Sequence, residues 1–362
     1  MHIKRIQVVP GWSFRDESGN ELNPQLFSLL AAIHEHGKLT AATKSVGISY
    51  RHGWNLLNTW AAFFGVPLVS MQKGKGATLT PLGDKLLWAK QRVVARLEPQ
   101  LDSLTSQLNL EIHRALEGVS PLLRVHASYG YAVALLPEHA SEIQLDLQYK
   151  SGEEALAALN RGVCDIAGFH VPIEGMSQAQ IKKYGHYLKP RVHKVIQFIT
   201  RRQGLIVKRD NPCEIQGLSD LLRDDVRFIN RQEDSGTRTL LDELLRREKI
   251  NPAKVSGYDD EEFTHSAVAA YVAAGMADVG IGVEAAARQF NLDFIPLSYE
   301  RYLFVCHHRS LQQEAVIRFL EMIRTSQFYQ AVRELPGYSP DLCGDVVGVE
   351  EALNQSPGKP SD

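Results

Sequence analysis

Residues 234–238, Asp-Ser-Gly-Thr-Arg, put two hydroxyls, a glycine amide and a guanidinium within five positions. They stand where the apolar run "VRFINR" hands over to the helical pattern "TLLDELL". The first N–H groups of a helix lack intrahelical partners and sit at the positive end of its dipole. Ser235, Gly236, Thr237 and Arg238 can therefore form a shell around a small anion. The same residues also read as an ordinary Ser-capped helix with a surface arginine. A second set, "SYGYA" at 128–132, follows another strand-like run, and its Ser128, Tyr129 and Gly130 offer hydroxyl and backbone donors.

Another polar set lies near the N-terminus. In "GISYRHGWNLLN", residues 47–58, Tyr50, Arg51, His52, Asn55 and Asn58 make a polar, cation-bearing face, while Trp54, Leu57 and Trp60 or Ala61 read as the seat of the helix. Such a face can address base edges and phosphates. Chemistry of other kinds has no pattern to rest on. There is no GxSxG, HExxH, P-loop or paired metal-ligand spacing, so no catalytic residue, metal or cofactor is assigned. The four cysteines, Cys164, Cys213, Cys306 and Cys343, lie far apart and read as buried small hydrophobes of a reducing compartment.

The elements that must position these residues fall into two grammars. From Pro24, Leu26, Phe27, Leu30 and Ile33 recur at helical spacing, and His36-Gly37 ends the run. A short alanine-rich helix, Leu39 to Val46, follows with Thr40 as its expected N-cap; Gly47 turns the chain, and Ser49 caps a third helix to about Phe64. Short helix, glycine turn and capped helix is a helix-turn-helix. Two β-prone pieces, Pro67–Met71 and Ala77–Thr80, flank a Gly-Lys loop and add a wing whose Lys73 and Lys75 can meet phosphates. From Pro81 an apolar stripe (Leu82, Leu86, Val93, Leu97, Leu101, Leu104, Leu108, Ile112) predicts a long helix that self-associates, with Pro99 kinking or breaking it.

After Gly118 strand-like and helical runs alternate, which predicts a mainly parallel α/β sheet. The expected organisation is 1–80 winged helix-turn-helix, 81–118 linker and dimerisation helix, 119–340 ligand domain and 341–362 C-terminal tail. Charge follows the same division. The chain of 362 residues has a net charge of −2 with 44% apolar and 23% charged residues, yet segment 30–96 carries 9 Lys/Arg against 2 Asp/Glu. A local basic segment points to a polyanion partner for that segment. The longest apolar run, near Val268–Ala277, is about half of what a bilayer requires, and the N-terminus is too polar for a secretory signal, so a cytoplasmic protein without a membrane partner is expected.

Residues 25–83 resemble the DNA-binding domains of LysR-type regulators and the molybdate-responsive ModE type, through "LTAATKSVGISYRHGWNLLN" and "GKGATLTPLG". The resemblance implies recognition-helix roles for Ser49, Tyr50, Arg51, His52 and Asn55 and wing roles for Lys73 and Lys75. Most of 120–335 resembles a periplasmic-binding-protein-like domain, through "INRQEDSGTR", "CDIAGFH", "AAGMADVGIG" and a late "LPGY". That implies two α/β lobes closing on a small ligand, with Ser128, Tyr129, His170, Arg231, Ser235, Gly236, Thr237 and Arg238 in the pocket and His265, Gly282 and Glu284 beside it. Asp234 stands where related sequences often have glycine, which favours a ligand with donor groups of its own. Together these imply a regulator that binds double-stranded DNA as a homodimer or higher oligomer and senses a small anion: molybdate or tungstate first, formate or sulfate as alternatives. The competing class is a small-molecule enzyme with an appended DNA-binding domain.

Overall fold

The computed structural model describes residues 6–9, 11, 14–19, 21–72, 76–115, 121–173 and 184–354. Two compact units divide the chain: Val9–Ala95, and Arg96–Asp362 together with Met1–Val8.

The first unit begins with a two-stranded ribbon, β1 (Phe14–Arg15) and β2 (Glu21–Leu22), then α1 (Gln25–His36), α2 (Leu39–Val46) and α3 (Tyr50–Phe64). Strands β3 (Val69–Gln72) and β4 (Gly76–Leu79) pair antiparallel as the wing, and α4 (Pro81–Ala115) follows. Leu26, Leu29, Leu30 and Ile33 of α1 close over Ala42 of α2, Leu56, Leu57 and Trp60 of α3, and Leu68 and Ala77 of the wing. Gly37 and Gly47 end α1 and α2 in the left-handed conformation. Ser49 caps α3, its hydroxyl accepting the His52 N–H at 3.2 Å.

Two expectations change. Lys38, not Thr40, is the N-cap of α2, because the left-handed Gly37 leads straight into an extended residue 38 and the helix starts at Leu39, two residues before the position a Thr40 cap would give. Trp54 is 41% exposed and lies parallel to the Tyr50 ring at 6.5 Å. Gly53 takes the buried position instead: a Cβ there would stand 2.5 Å from Thr43 Cγ2. Only glycine lets α3 lie this close to α2, so Gly53→Ala should destabilise this unit by about 1–3 kcal/mol, as overpacking does. Urea denaturation checks it; an unchanged midpoint would show that Thr43 moves aside freely.

Helix α4 runs unbroken through Pro99. The residues beyond the proline are held from outside. Ser106 Oγ accepts the Leu147 N–H at 2.8 Å and donates to the Leu145 carbonyl at 3.2 Å, while Ser103 Oγ accepts the Tyr149 N–H at 3.1 Å. These serines occupy the outer edge of the sheet, which would otherwise offer unpaired backbone groups.

The second unit contains β5 (Leu122–Ala127), α5 (Tyr131–Ala134), α6 (Leu136–His139), β6 (Gln144–Tyr149), α7 (Gly152–Asn160), β7 (Ile166–Pro172), β8 (His193–Val207), β9 (Phe228–Arg231) and α8 (Gly236–Arg247). It continues through β10 (Glu261–Glu262), α9 (His265–Ala273), β11 (Val279–Val283), α10 (Glu284–Gln289), β12 (Asp293–His307), α11 (Glu314–Ile323) and α12 (Ser326–Arg333). It closes with β13 (Tyr338–Ser339), β14 (Val346–Gly348) and α13 (Val349–Asn354). The strand order is β10-β9-β11-β8-β12-β7-β5-β6. Strands β5, β6 and β7 pair parallel in one lobe, and β9, β10 and β11 pair parallel in the other.

The sheet is mixed rather than mainly parallel, because β8 and β12 are antiparallel to each other and to their outer neighbours. Each is one continuous strand of 15 residues that passes from one lobe into the other. Much of the expected tail is folded as well. Val346–Gly348 pair with β8, and Val349 and Ala352 are buried beside Leu303 and Val305.

Candidate functional site

The long strands place their polar residues where they cross between the lobes. Arg201 and Gln203 on β8, and Glu300 and Tyr302 on β12, are all at most 2% exposed. Strand alternation puts each pair on one face, two residues apart. Glu300 Oε2 accepts from Arg201 Nε at 3.0 Å, Arg201 Nη2 at 2.8 Å and Gln203 Nε2 at 2.8 Å. Gln203 Nε2 also donates to Thr237 Oγ1 at 3.0 Å. Burial alone would raise the Glu300 pKa, but the charge of Arg201 and the hydrogen bond from Gln203 hold the carboxyl well below the usual range.

His170 on β7 joins this network. Its Nε2 lies 2.8 Å from Ser128 Oγ and its Nδ1 3.2 Å from Arg201 Nη2. Burial lowers its pKa, so the ring is neutral, accepts the Arg201 N–H at Nδ1 and donates to Ser128 from Nε2. The Ser128 N–H donates to the Tyr302 hydroxyl oxygen at 2.9 Å. From the other lobe, the start of α8 comes directly against His170. A Cβ on Gly236 would stand 3.1 Å from His170 Cδ2, so glycine is what allows this approach. Tyr131 also links the lobes, through Ser266 Oγ at 2.8 Å and Gln289.

Arg231, at the end of β9, is 6% exposed. Its Nη2 donates to the Phe263 carbonyl at 2.9 Å and its Nε to the Glu262 carbonyl and Gln232, but Nη1 has no partner. Burial and the nearby Arg201 push its pKa down to about 9. His265, at the first position of α9, is buried, and its Nδ1 is unpartnered. Burial, Arg231 and Arg201 keep its pKa well below the ordinary value, so it too is neutral. Around the crossing two guanidinium groups, Arg201 and Arg231, stand against the Glu300 carboxylate, and Arg231 keeps an unused donor.

The expected pocket residues thus separate. Ser128, His170, Arg231, Gly236 and Thr237 come together around the crossing, with His265 and Gly282, whose Cβ would stand 3.4 Å from His265 Nδ1. Ser235 spends its hydroxyl on the cap of α8, accepting the Arg238 N–H at 3.1 Å. Arg238 lies over the Tyr258 ring at 4.0 Å, pairs with Asp242 at 3.3 Å and donates to the Arg231 carbonyl, so its guanidinium faces the flank of α8. Tyr129 packs edge-on against Tyr149 at 4.9 Å beside Glu98 of α4. Glu284 pairs with Arg202 at 3.5 Å and Arg288 at 3.2 Å. Asp234 is exposed and favours the charged form of Arg231. Arg201, Gln203, Glu300 and Tyr302 were missed. Their only sequence signal was polar residues two apart in otherwise apolar runs, "ITRRQGLIV" and "YERYLFV".

On the first unit, Tyr50, Arg51, His52, Asn55 and Asn58 are exposed along α3. The Ser49 hydroxyl is taken up as the cap, and His52 Nε2 lies 3.1 Å from Gln25 Oε1. Lys73 and Lys75 lie outside the described residues.

Two α/β lobes joined by a pair of crossing strands, with buried charged groups at the crossing, define a periplasmic-binding-protein-like domain. The chain belongs to the PBP superfamily, whose domain model matches residues 133–324. It is similar to the uncharacterized protein YvgK of Bacillus subtilis (strain 168), 37% identical over 201 residues, which is 55% of this chain and 64% of YvgK. It is also similar to the molybdenum-pterin-binding protein MopB of Rhodobacter capsulatus, 30% identical over 142 residues, 38% of this chain and 52% of MopB. The chain thus spans less than two thirds of the length of either relative. Among solved structures, CbnR, a LysR family transcriptional regulator, aligns over 83% of this chain and 99% of its own at 17% identity, with a TM-score of 0.41. That likeness is too loose to decide anything further.

Proposed function

We propose that this chain is a DNA-binding transcriptional regulator that senses a small anion in the cleft between the lobes of its second unit. The observation that carries the reading is Arg231, a buried guanidinium with an unpartnered Nη1, within electrostatic reach of Arg201 and Glu300 on the crossing strands and bonded through its carbonyl to Arg238 of α8. An anion there completes the guanidinium's hydrogen bonds and offsets the charge it shares with Arg201. The winged helix-turn-helix in the same chain, with Arg51 and Asn55 exposed on α3, makes the response a matter of DNA binding. Helix α4 supports the link. Within the second unit its Ser103 and Ser106 hold β6 of one lobe, while its Arg96 lies over the Phe263 ring of the other at 4.9 Å. The Phe263 carbonyl is itself a partner of Arg231. Leu104 and Leu108 stay exposed on α4 and fit a homodimer seam.

Molybdate and tungstate head the ligands to try, since the resemblance and the Rhodobacter relative's name both involve molybdenum; formate and sulfate follow. Selection of duplex DNA from a random pool, then fluorescence anisotropy with and without each anion, tests the reading. No selected duplex, or affinity unmoved by every anion, would overturn it. With the selected duplex, Arg51→Ala should lose about 1–3 kcal/mol of binding, concentrated at one base pair. Lys75→Ala should weaken all sequences alike and flatten the salt dependence. Unchanged affinity in both variants at low salt would remove these residues from the DNA interface.

A further inference from the structure

We infer, resting on the anion-sensing reading, that the ligand is an anion carrying an O–H or N–H donor of its own, received by Gln203. The Gln203 amide has a fixed orientation. Its Nε2 faces the Glu300 carboxylate at 2.8 Å, and turning the amide over would set Oε1 against that carboxylate. Oε1 therefore points the other way, and on this side chain of 0% exposure it has no partner. Two orphaned groups of opposite kind thus flank the same network: Arg231 Nη1, which can only donate, and Gln203 Oε1, which can only accept. His265 Nδ1 is a third unpartnered atom, on a neutral ring able to take either role.

Charge sets only the sign of the ligand. Arg201 and Arg231 outnumber Glu300 at the crossing, with His170 and His265 neutral, which favours an anion, while the buried carboxylate of Glu262, in register with Arg231, keeps the positive surplus small. A fully deprotonated tetrahedral oxyanion has only acceptors. It satisfies Arg231 but holds an oxygen against the Gln203 carbonyl oxygen, which stays buried and unpaired. A carboxylate or protonated oxyacid with a hydroxyl or amide a few bonds away satisfies both.

Titration calorimetry on the full chain tests this with matched probes: glycolate against acetate, oxamate against pyruvate, and molybdate, tungstate and sulfate as donorless dianions. Leaving a buried acceptor unpaired should weaken binding about tenfold or more, so each donor-bearing probe should exceed its donorless match by that factor. In Gln203→Met the ratio should fall towards one, and binding should still require Arg231. Equal affinities within the matched pairs, or tighter binding of molybdate, tungstate or sulfate that is lost in Arg231→Leu, would overturn the donor requirement and leave anion sensing intact. Binding of no probe, or binding indifferent to Arg231→Leu, would overturn both. Should Gln203→Met not fold, the wild-type ratios alone decide.

Discussion

Glu300→Gln should be among the most destabilising substitutions in the second unit, by about 3–5 kcal/mol. The replacement keeps the shape and removes only the charge. Glu300 is 1% exposed and is the carboxylate bonded to Arg201, itself 2% exposed, with Arg231 close by. Breaking a buried pair from one side leaves an uncompensated charge in the interior, here that of Arg201 with the like charge of Arg231 nearby. For a unit of this size the loss corresponds to a fall in Tm of roughly 6 to 20 °C. Calorimetric scanning checks it, and a fall of a degree or two would mean that Asp234 or solvent reaches Arg201 and Arg231 as readily as Glu300 does.

Buried histidines, two of them beside this network, shape how stability varies with pH. Burial lowers the pKa of His170, of His265 and of His193, the last to about 4. Unfolded, these rings take up protons below their ordinary pKa of about 6.5, while the folded chain keeps them neutral. The unfolded state then binds more protons, so stability falls as pH drops from about 6.5 towards 4. Glu300 has the same sign at lower pH: its contribution is present above the ordinary carboxylate pKa and is lost only as pH falls towards its depressed folded value.

Whether a residue could be read from sequence depended on whether its role was local. Gly37, Gly47 and Ser49 act on neighbours in the chain, through turn and cap geometry, and stand where the turn and cap signals put them. Trp54 and Gly53 show the limit. Helical spacing offers either residue to the core, and only the Thr43 side chain of α2 decides that the small residue goes in and the tryptophan stays out. The DSGTR stretch was correctly read as a helix start, but the direction of Arg238 depends on Tyr258 and Asp242, which lie 20 and 4 residues further on. Arg201 and Glu300, 99 residues apart, meet because β8 and β12 run through both lobes; turn-like breaks in "RRQG" and "IPLS" hid that continuity.

Arg231→Leu should abolish the anion response while leaving the unliganded protein about as stable as before. The substitution has opposing local effects. It removes donors from the carbonyls of Glu262 and Phe263, a loss of roughly 1–3 kcal/mol for each buried group left unpaired. Against this it removes a guanidinium whose pKa has been driven down to about 9 by burial and by Arg201, the mark of a charge that the folded chain holds at its own expense. An unpaired charge of that kind is stabilising only once an anion arrives. Losing a charge-assisted pair to the ligand, and the field that draws it in, should weaken binding at least a hundredfold. Arg238→Ala should do the reverse, since that side chain rests on Tyr258 and Asp242: lower stability, near-normal ligand affinity. Thermal scans with and without a bound anion separate the two in one experiment. If Arg238→Ala loses the ligand shift and Arg231→Leu keeps it, the anion sits on the flank of α8, and the crossing of β8 and β12 is a structural charge network only.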